Sequence, residues 1–449
     1  MKKLSIFLLL LLPAVAYSQT ENYKLDSYVN PDYKRKELDF NLGSSLDIYS
    51  QKTKYGGITN VNSKYQFLSG ELKTMFNQVA NSTKKQTSSI FGLNLLGNYL
   101  ENEFEDKNSK EFRFQIFYQQ TGYYYGKDKR FIEFSPDVNF YHHSTDKENK
   151  HQGTPDKEVL NSIGTRLSFN LGIGKGRIEQ VGDAYSAMYI LSDLKKNGSL
   201  NKSLNPDEVN RLAQQITSIK NKRQFDSRIK LIEEITVVDS FLTANGYTGT
   251  GKTAPHFTSL YDNWMYAGLF ERKAGSRFSV GVSPSHNWNR YKTEYEPENR
   301  NNQTDYYSET RAAAYVLYEY EKPANLYLQH SVFAEIKGEW TKFRSRNSAF
   351  GPHFLGEYKL GYFPNTRTHI QSSFYVDYFS MINDENSNNS IISGLILNMY
   401  YYLSPQLRLS ADSRLYFFYN KQKDKINDAN YFSNNPNFTF NIGLQYSIF

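Results

Sequence analysis

The residues with the greatest chemical reach in this sequence are a phosphate-loop match, a stretch rich in histidine and acid, and three scattered histidines. Gly246-Tyr247-Thr248-Gly249-Thr250-Gly251-Lys252-Thr253 satisfies the G-x-x-x-x-G-K-[ST] pattern in full. Such a loop cradles phosphates only between a buried strand and a helix, where backbone amides and the helix dipole converge. Here Val237 to Ala244 continues a helical stripe and Pro255 follows, so the pattern reads as a flexible Gly/Thr linker. Gly172-Ile173-Gly174-Lys175-Gly176 lacks dinucleotide spacing and reads as a bend at the end of a strand. His142, His143 and His151 share a polar stretch with Asp146, Glu148 and Asp156. These types could hold a metal weakly, but the surroundings read as a solvated loop. His286, His330 and His369 lie on strand patterns among many serines, where hydrolysis would need one complete, oriented Ser/His pair near the rim. The expectation is therefore no catalytic, cofactor-binding or metal residues, and no enzyme.

The N-terminus sets the compartment. Lys2 and Lys3 precede the apolar run Ile6 to Val15, which ends in small residues suited to signal-peptidase cleavage after Ala16 or Ser18. Residues 1–18 read as a signal peptide and 19–36 as a short periplasmic segment. No other stretch is apolar enough for a membrane helix, which leaves a soluble protein or a closed barrel. With 0 cysteines there is no disulfide, thiolate site or lipidated anchor. Aromatic residues make up 16% of the chain, 37 Tyr and 31 Phe among them, yet the mean hydropathy is -0.66. A transmembrane barrel reconciles these values, because apolar side chains face lipid while alternate polar ones face the lumen. The net charge of +7 becomes +5 without Lys2 and Lys3, too modest and too evenly spread to imply nucleic acid.

Period-two alternation carries the fold. From Leu407 to Tyr419 one face holds Leu407, Leu409, Ala411, Leu415 and Phe417, and the other Arg408, Ser410, Asp412 and Arg414. Leu167, Phe169 and Leu171 oppose Arg166, Ser168 and Asn170 in the same way, and Val332, Ala334 and Ile336 oppose Ser331, Glu335 and Lys337. About fourteen such segments are expected, an even number as in bacterial single-chain barrels. They fall near 37–50, 63–77, 86–101, 110–124, 129–142, 160–174, 276–293, 307–321, 325–341, 352–363, 366–381, 390–403, 406–420 and 436–449. Pro-containing stretches at 321–325, 364–366 and 404–406 read as inner turns; 294–304, 342–348, 382–389 and 421–437 read as outer loops. The last strand offers Asn441, Gly443, Tyr446, Ile448 and Phe449, similar to the terminal pattern read by the barrel-assembly machinery, with Phe449 out of phase with the apolar face.

Between 176 and 273 the period becomes helical. Ile178, Val181, Ala184, Met188, Leu191 and Leu194 form one stripe, and Leu212, Ile216 and Ile219 a second. Asn205-Pro206-Asp207-Glu208 has the residues of a capping box, a run with Ile229, Ile232 or Glu233, Ile235 and Val238 follows Asp226, and a last helix is expected over 255–270. Six strands precede this insert, so parity puts it on the periplasmic side, below the barrel or within it as a plug. The run Gly176-Arg177-Ile178-Glu179-Gln180-Val181-Gly182-Asp183-Ala184 resembles one in outer-membrane barrel proteins of the Bacteroidota. That resemblance implies an outer-membrane location and a barrel with a helical insert, and brings no catalytic residues.

The expected fold class is thus an all-β transmembrane antiparallel β-barrel, with an α-helical insert between its sixth and seventh strands. Six strands occupy 37–175, the insert 176–273 and eight strands 274–449. Arg166, Glu335, Lys337, Glu339, Asp377, Arg408, Asp412 and Arg414 should face the lumen, as salt-bridged filling or as a conduit that selects solutes. Two function classes follow: a porin-like channel or transporter for small polar solutes modulated by the insert, or a non-conducting barrel that anchors a periplasmic module or displays binding loops. The implied partners are outer-membrane lipid, the barrel-assembly machinery and a periplasmic or surface protein.

Overall fold

The computed structural model describes residues 23–55, 59–102, 107–149, 156–222, 230–266, 272–296, 301–344, 347–383, 385–404, 407–425 and 429–446. Among these residues fourteen antiparallel strands follow one another in a single sheet in chain order. They are β1 Tyr33–Tyr55, β2 Thr59–Asn81, β3 Lys85–Asn102, β4 Lys107–Tyr125, β5 Arg130–Asn149, β6 Asp156–Gln180, β7 Lys273–Glu296, β8 Gln303–Pro323, β9 Leu328–Phe343, β10 Ala349–Asn365, β11 Thr368–Ile382, β12 Asn386–Tyr402, β13 Leu407–Asp424 and β14 Ala429–Tyr446. Among the described residues four helices lie between β6 and β7, α1 Gly182–Lys196, α2 Pro206–Asn221, α3 Leu231–Ala244 and α4 Ala254–Tyr266. No helix among the described residues is long and apolar enough to cross a membrane.

Register follows the alternation. Leu409 stands opposite Leu444, Ala411 opposite Ile442 and Leu415 opposite Phe438, while Asp412 meets Asn441 and Arg414 meets Thr439 on the other face. A slip of one residue would exchange the two faces, so this pattern pins the pairing. The outer face carries exposed Leu42, Phe112, Val138, Leu167, Val316, Ile336 and Phe417 around the sheet.

Most strands outrun their expected bounds at the end remote from the helices, because hairpin pairing continues through polar residues wherever both faces can meet water. The stretch expected as an outer loop at 421–437 is mostly strand: β13 reaches Asp424 and β14 starts at Ala429. The expected N-terminal segment also shortens, since β1 begins at Tyr33. Likewise β6 passes Gly176 to Gln180, so the helices begin at Gly182, and Ile178 belongs to a strand instead of the first helical stripe. Gly176 and Gly275 permit that extension. Both have positive φ, +110° and +121°, where the two backbones approach too closely for a Cβ.

The apolar core lies in the helices, with Val181, Ile190, Leu194, Leu212, Ile216, Leu242 and Leu260 enclosed. Leu25 and Tyr28, from the segment before β1, complete it. Asn205 and Glu208 close the expected capping box at the start of α2. The sheet rolls around this unit: Arg35 of β1 reaches α1 and α2, Tyr189 of α1 donates to carbonyls at Leu326 and Phe363, and Tyr266 of α4 packs on Tyr402 of β12. The 3-10 turn at Leu25–Ser27 meets β7 and β8, across the mouth from β1. Among the described residues no pairing joins β1 to β14, which form the two edges of the rolled wall.

Candidate functional site

The polar face of β3 to β9 encloses a cavity of about 460 Å³. Ser88, Thr121, Ser135, Ser168, Ser283 and Ser285 supply hydroxyls to its lining, and Gln119 and Asn170 supply amides. Its charges are Arg166, Arg311 and Lys337 against Asp137 and Glu339. Arg311 is held on two sides, by Glu309 at 2.5 Å and Glu339 at 3.4 Å, and Lys337 meets Glu335 at 2.7 Å. Many rotatable donors and a few fixed charges suit a hydrated polar molecule.

On the helical side of this chamber, paired side chains of β4 to β8 form its floor. The Tyr315 hydroxyl donates to Glu133 Oε2 at 3.0 Å, crossing β7 and β6 to reach β5. Gly172 and Gly281 make that crossing possible, since a Cβ on either would come within 2.6 Å of the Tyr315 oxygen. Beside it Arg277 binds Glu319 at 2.6 Å and covers the Tyr123 ring at 3.6 Å.

Below the floor the helical unit covers the mouth, at the same end as the tight turns. Buried Asp183 of α1 accepts from Lys220 at 2.7 Å, from Thr217 at 2.6 Å and from Arg35 of β1 at 3.3 Å. Tyr28 adds its hydroxyl to Thr217 at 2.9 Å. Burial alone would raise the Asp183 pKa, but the charges of Lys220 and Arg35, and the hydrogen bonds from Lys220 and Thr217, outweigh it and hold the carboxyl below the usual range. On the opposite side Arg272 is sandwiched between the Tyr185 and Phe363 rings at 3.5 and 3.7 Å and donates to Gln329 at 2.8 Å. Burial pushes its guanidinium down to about 10, so it keeps its charge. A third tie joins Arg367, at the β10–β11 turn, to Asp262 of α4 at 3.0 Å.

All eight charges expected in the lumen lie on the polar face, but they do not form one set. Arg166, Lys337 and Glu339 line the chamber. Glu335 pairs with Lys337, Asp377 with His353 at 2.8 Å, and Asp412 with Arg414 at 3.2 Å. Arg408 lies over the Tyr400 and Tyr402 rings at 5.1 and 5.9 Å. The Arg311–Glu309 pair, the Tyr315–Glu133 floor and the Asp183 network went unread, although the alternation of β8 already marked Glu309, Arg311 and Tyr315 as inward. Of the C-terminal signal, Asn441 donates to Asp412 at 3.1 Å, Gly443 and Tyr446 lie on β14, and Ile448 and Phe449 fall outside the described residues.

The phosphate-loop match follows a helix, α3, and its Lys252 is spent on Asp239, which also meets His256 at 2.9 Å. His142 and His143 sit within β5 and not in a loop, so consecutive side chains face opposite sides; His143 binds Glu111 at 2.7 Å, and His151 lies outside the described residues. His286 meets Thr310 at 2.9 Å, His330 meets Tyr358 at 2.8 Å, and His369 stacks on Phe363 at 4.4 Å.

Neither a protein-family model nor a curated protein matches the sequence. Among solved structures, the translocator domain of autotransporter NalP from Neisseria meningitidis is 8% identical with a TM-score of 0.25, over 94% of this chain and 91% of that one. Outer-membrane expressed OmpT of Vibrio cholerae is 8% identical with a TM-score of 0.28, over 94% and 99%. CdiB from Acinetobacter baumannii is 7% identical with a TM-score of 0.25, over 85% and 66%.

Proposed function

We propose that this chain is an exported outer-membrane β-barrel that admits small polar solutes into the chamber, and that its helical unit is a closure on the periplasmic mouth. The carrying observation is the sorting of the wall: apolar side chains outward on consecutive strands, and hydroxyls, amides and charges inward around an open volume. In a bilayer the β1 and β14 edges pair with each other, because hydrocarbon leaves no partner for an open row of backbone amides. A non-conducting anchor for the helical unit is the second reading, favoured by the packed floor and by the buried tie of Asp183 to β1.

Planar-bilayer recording separates the two. The native chain should give small, brief openings, and the Arg35→Ala/Arg367→Ala variant, which cuts two ties of the helices to the wall, larger and longer ones. Silence in both proteins would remove the channel reading and leave the anchor.

A further inference from the structure

We propose that the outward surface of β7 to β9, at the end remote from the helices, binds the phosphorylated head group of an outer-leaflet lipid; this rests on the reading of the wall as membrane-embedded. Strand alternation puts Trp288, Arg290 and Lys292 of β7 outward beside Tyr306 and Ser308 of β8, and Trp340 and Lys342 of β9 on the same face. Arg344 follows directly, its amide donating to the Ser308 carbonyl and its guanidinium 5.4 Å from the Tyr306 ring centre.

The charges on this patch are unbalanced. Glu294 pairs with Lys292. Among the described residues Arg290, Lys342 and Arg344 have no carboxylate partner, and Arg290 is half-buried with its Nε enclosed and unbonded. Arg290 and Arg344 flank β8 about two strand spacings apart, roughly 10 Å. They sit just beyond the aromatic rings that close the apolar band, at the depth where lipid chains give way to head groups. A guanidinium there is satisfied by phosphate oxygens, which accept its paired donors. On the same rim Lys157 of β6 already has Asp146 at 3.6 Å.

The protein carries its own reporters. Of its 3 tryptophans, Trp288 and Trp340 adjoin the patch, while Trp264 is enclosed in the helical unit. In vesicles of phosphatidylcholine brominated on its acyl chains, both wall tryptophans should be quenched. Stepwise replacement by unbrominated phosphatidate should relieve that quenching well ahead of its bulk mole fraction, corresponding to a preference of roughly tenfold. The Arg290→Gln/Arg344→Gln variant should remain quenched but lose the preference, and Lys157→Gln should keep it. Relief that tracks the bulk mole fraction in the native chain, or an undiminished preference in the double variant, would overturn the site and leave the membrane reading intact. No quenching in any vesicle would overturn both.

Discussion

In the helical unit Leu212, Ile216 and Leu242 are fully enclosed, whereas on the wall Leu42, Ile173 and Ile442 stand 86%, 64% and 66% exposed. The charges are sorted the opposite way: Asp183 is buried among the helices and Arg272 between α1 and the wall, while the wall turns Arg166, Arg311 and Lys337 toward an open chamber. One polypeptide therefore follows two solvent rules, and the boundary falls at Val181, where β6 stops and α1 begins. An apolar residue in the helices is held by its neighbours; one on the wall is held by whatever surrounds the protein. That difference predicts different responses to the same kind of substitution.

The largest response should come from Asp183→Ala, which strands Lys220 with its side chain only 11% exposed. Breaking a buried pair in this way costs about 3–5 kcal/mol. Thermal melting followed by the helical circular dichroism signal should show the loss, with the strand signal unchanged. Asp183→Leu/Lys220→Met removes both charges and should recover most of the stability; if it melts as early as the single variant, the network is not what holds α1 to α2. The same group fixes the pH dependence. Its folded pKa lies below the unfolded value of about 3.9, so its contribution is complete above that value and disappears as the pH falls through the lower, folded one. Acid should thus release the helices before it disturbs the wall.

Next comes a matched pair. Leu212→Ala empties space inside the core and should cost the helical unit about 3 kcal/mol. Ile336→Ala, on the exposed face of β9, should cost the wall less than about 1 kcal/mol, read from its heat-dependent gel mobility, since lipid is as apolar as the side chain it meets. Equal losses at the two positions would mean that the outer face packs against protein.

Strand number, face and helical position were legible because each rests on periodicity, a local property of the chain. Leu409 and Arg408 declare their faces without reference to any partner, and six strands before the insert put it at the end with the tight turns. Strand length was less legible: Lys421 to Asp424 carries no apolar alternation, and only its pairing with β14 makes it strand. The chamber was half visible. Arg166, Lys337 and Glu339 could be named as inward, but their convergence depends on how the sheet rolls, which no single strand encodes. The ties at the mouth were invisible for a related reason, since Arg35 and Asp183 are distant in sequence and meet only when β1 closes against α1.

The smallest response within the helical unit tests the one local device there that the sequence showed outright. Asn205 accepts from the Glu208 amide at 2.9 Å, and Glu208 accepts from the Asn205 amide at 2.9 Å, so two of the otherwise unbonded donors at the start of α2 are satisfied. Asn205→Ala removes one of these bonds and should cost about 1 kcal/mol. Because α2 also carries Thr217 and Lys220, which bind Asp183 and through it β1, fraying of its first turn should stay local while the last turn remains anchored. Hydrogen exchange should therefore quicken at Val209 and Asn210 and remain unchanged at Thr217 to Lys220. Equal quickening at both ends would show that the mouth closure and the capping box form one cooperative unit, which would narrow the contrast between helices and wall to the wall alone.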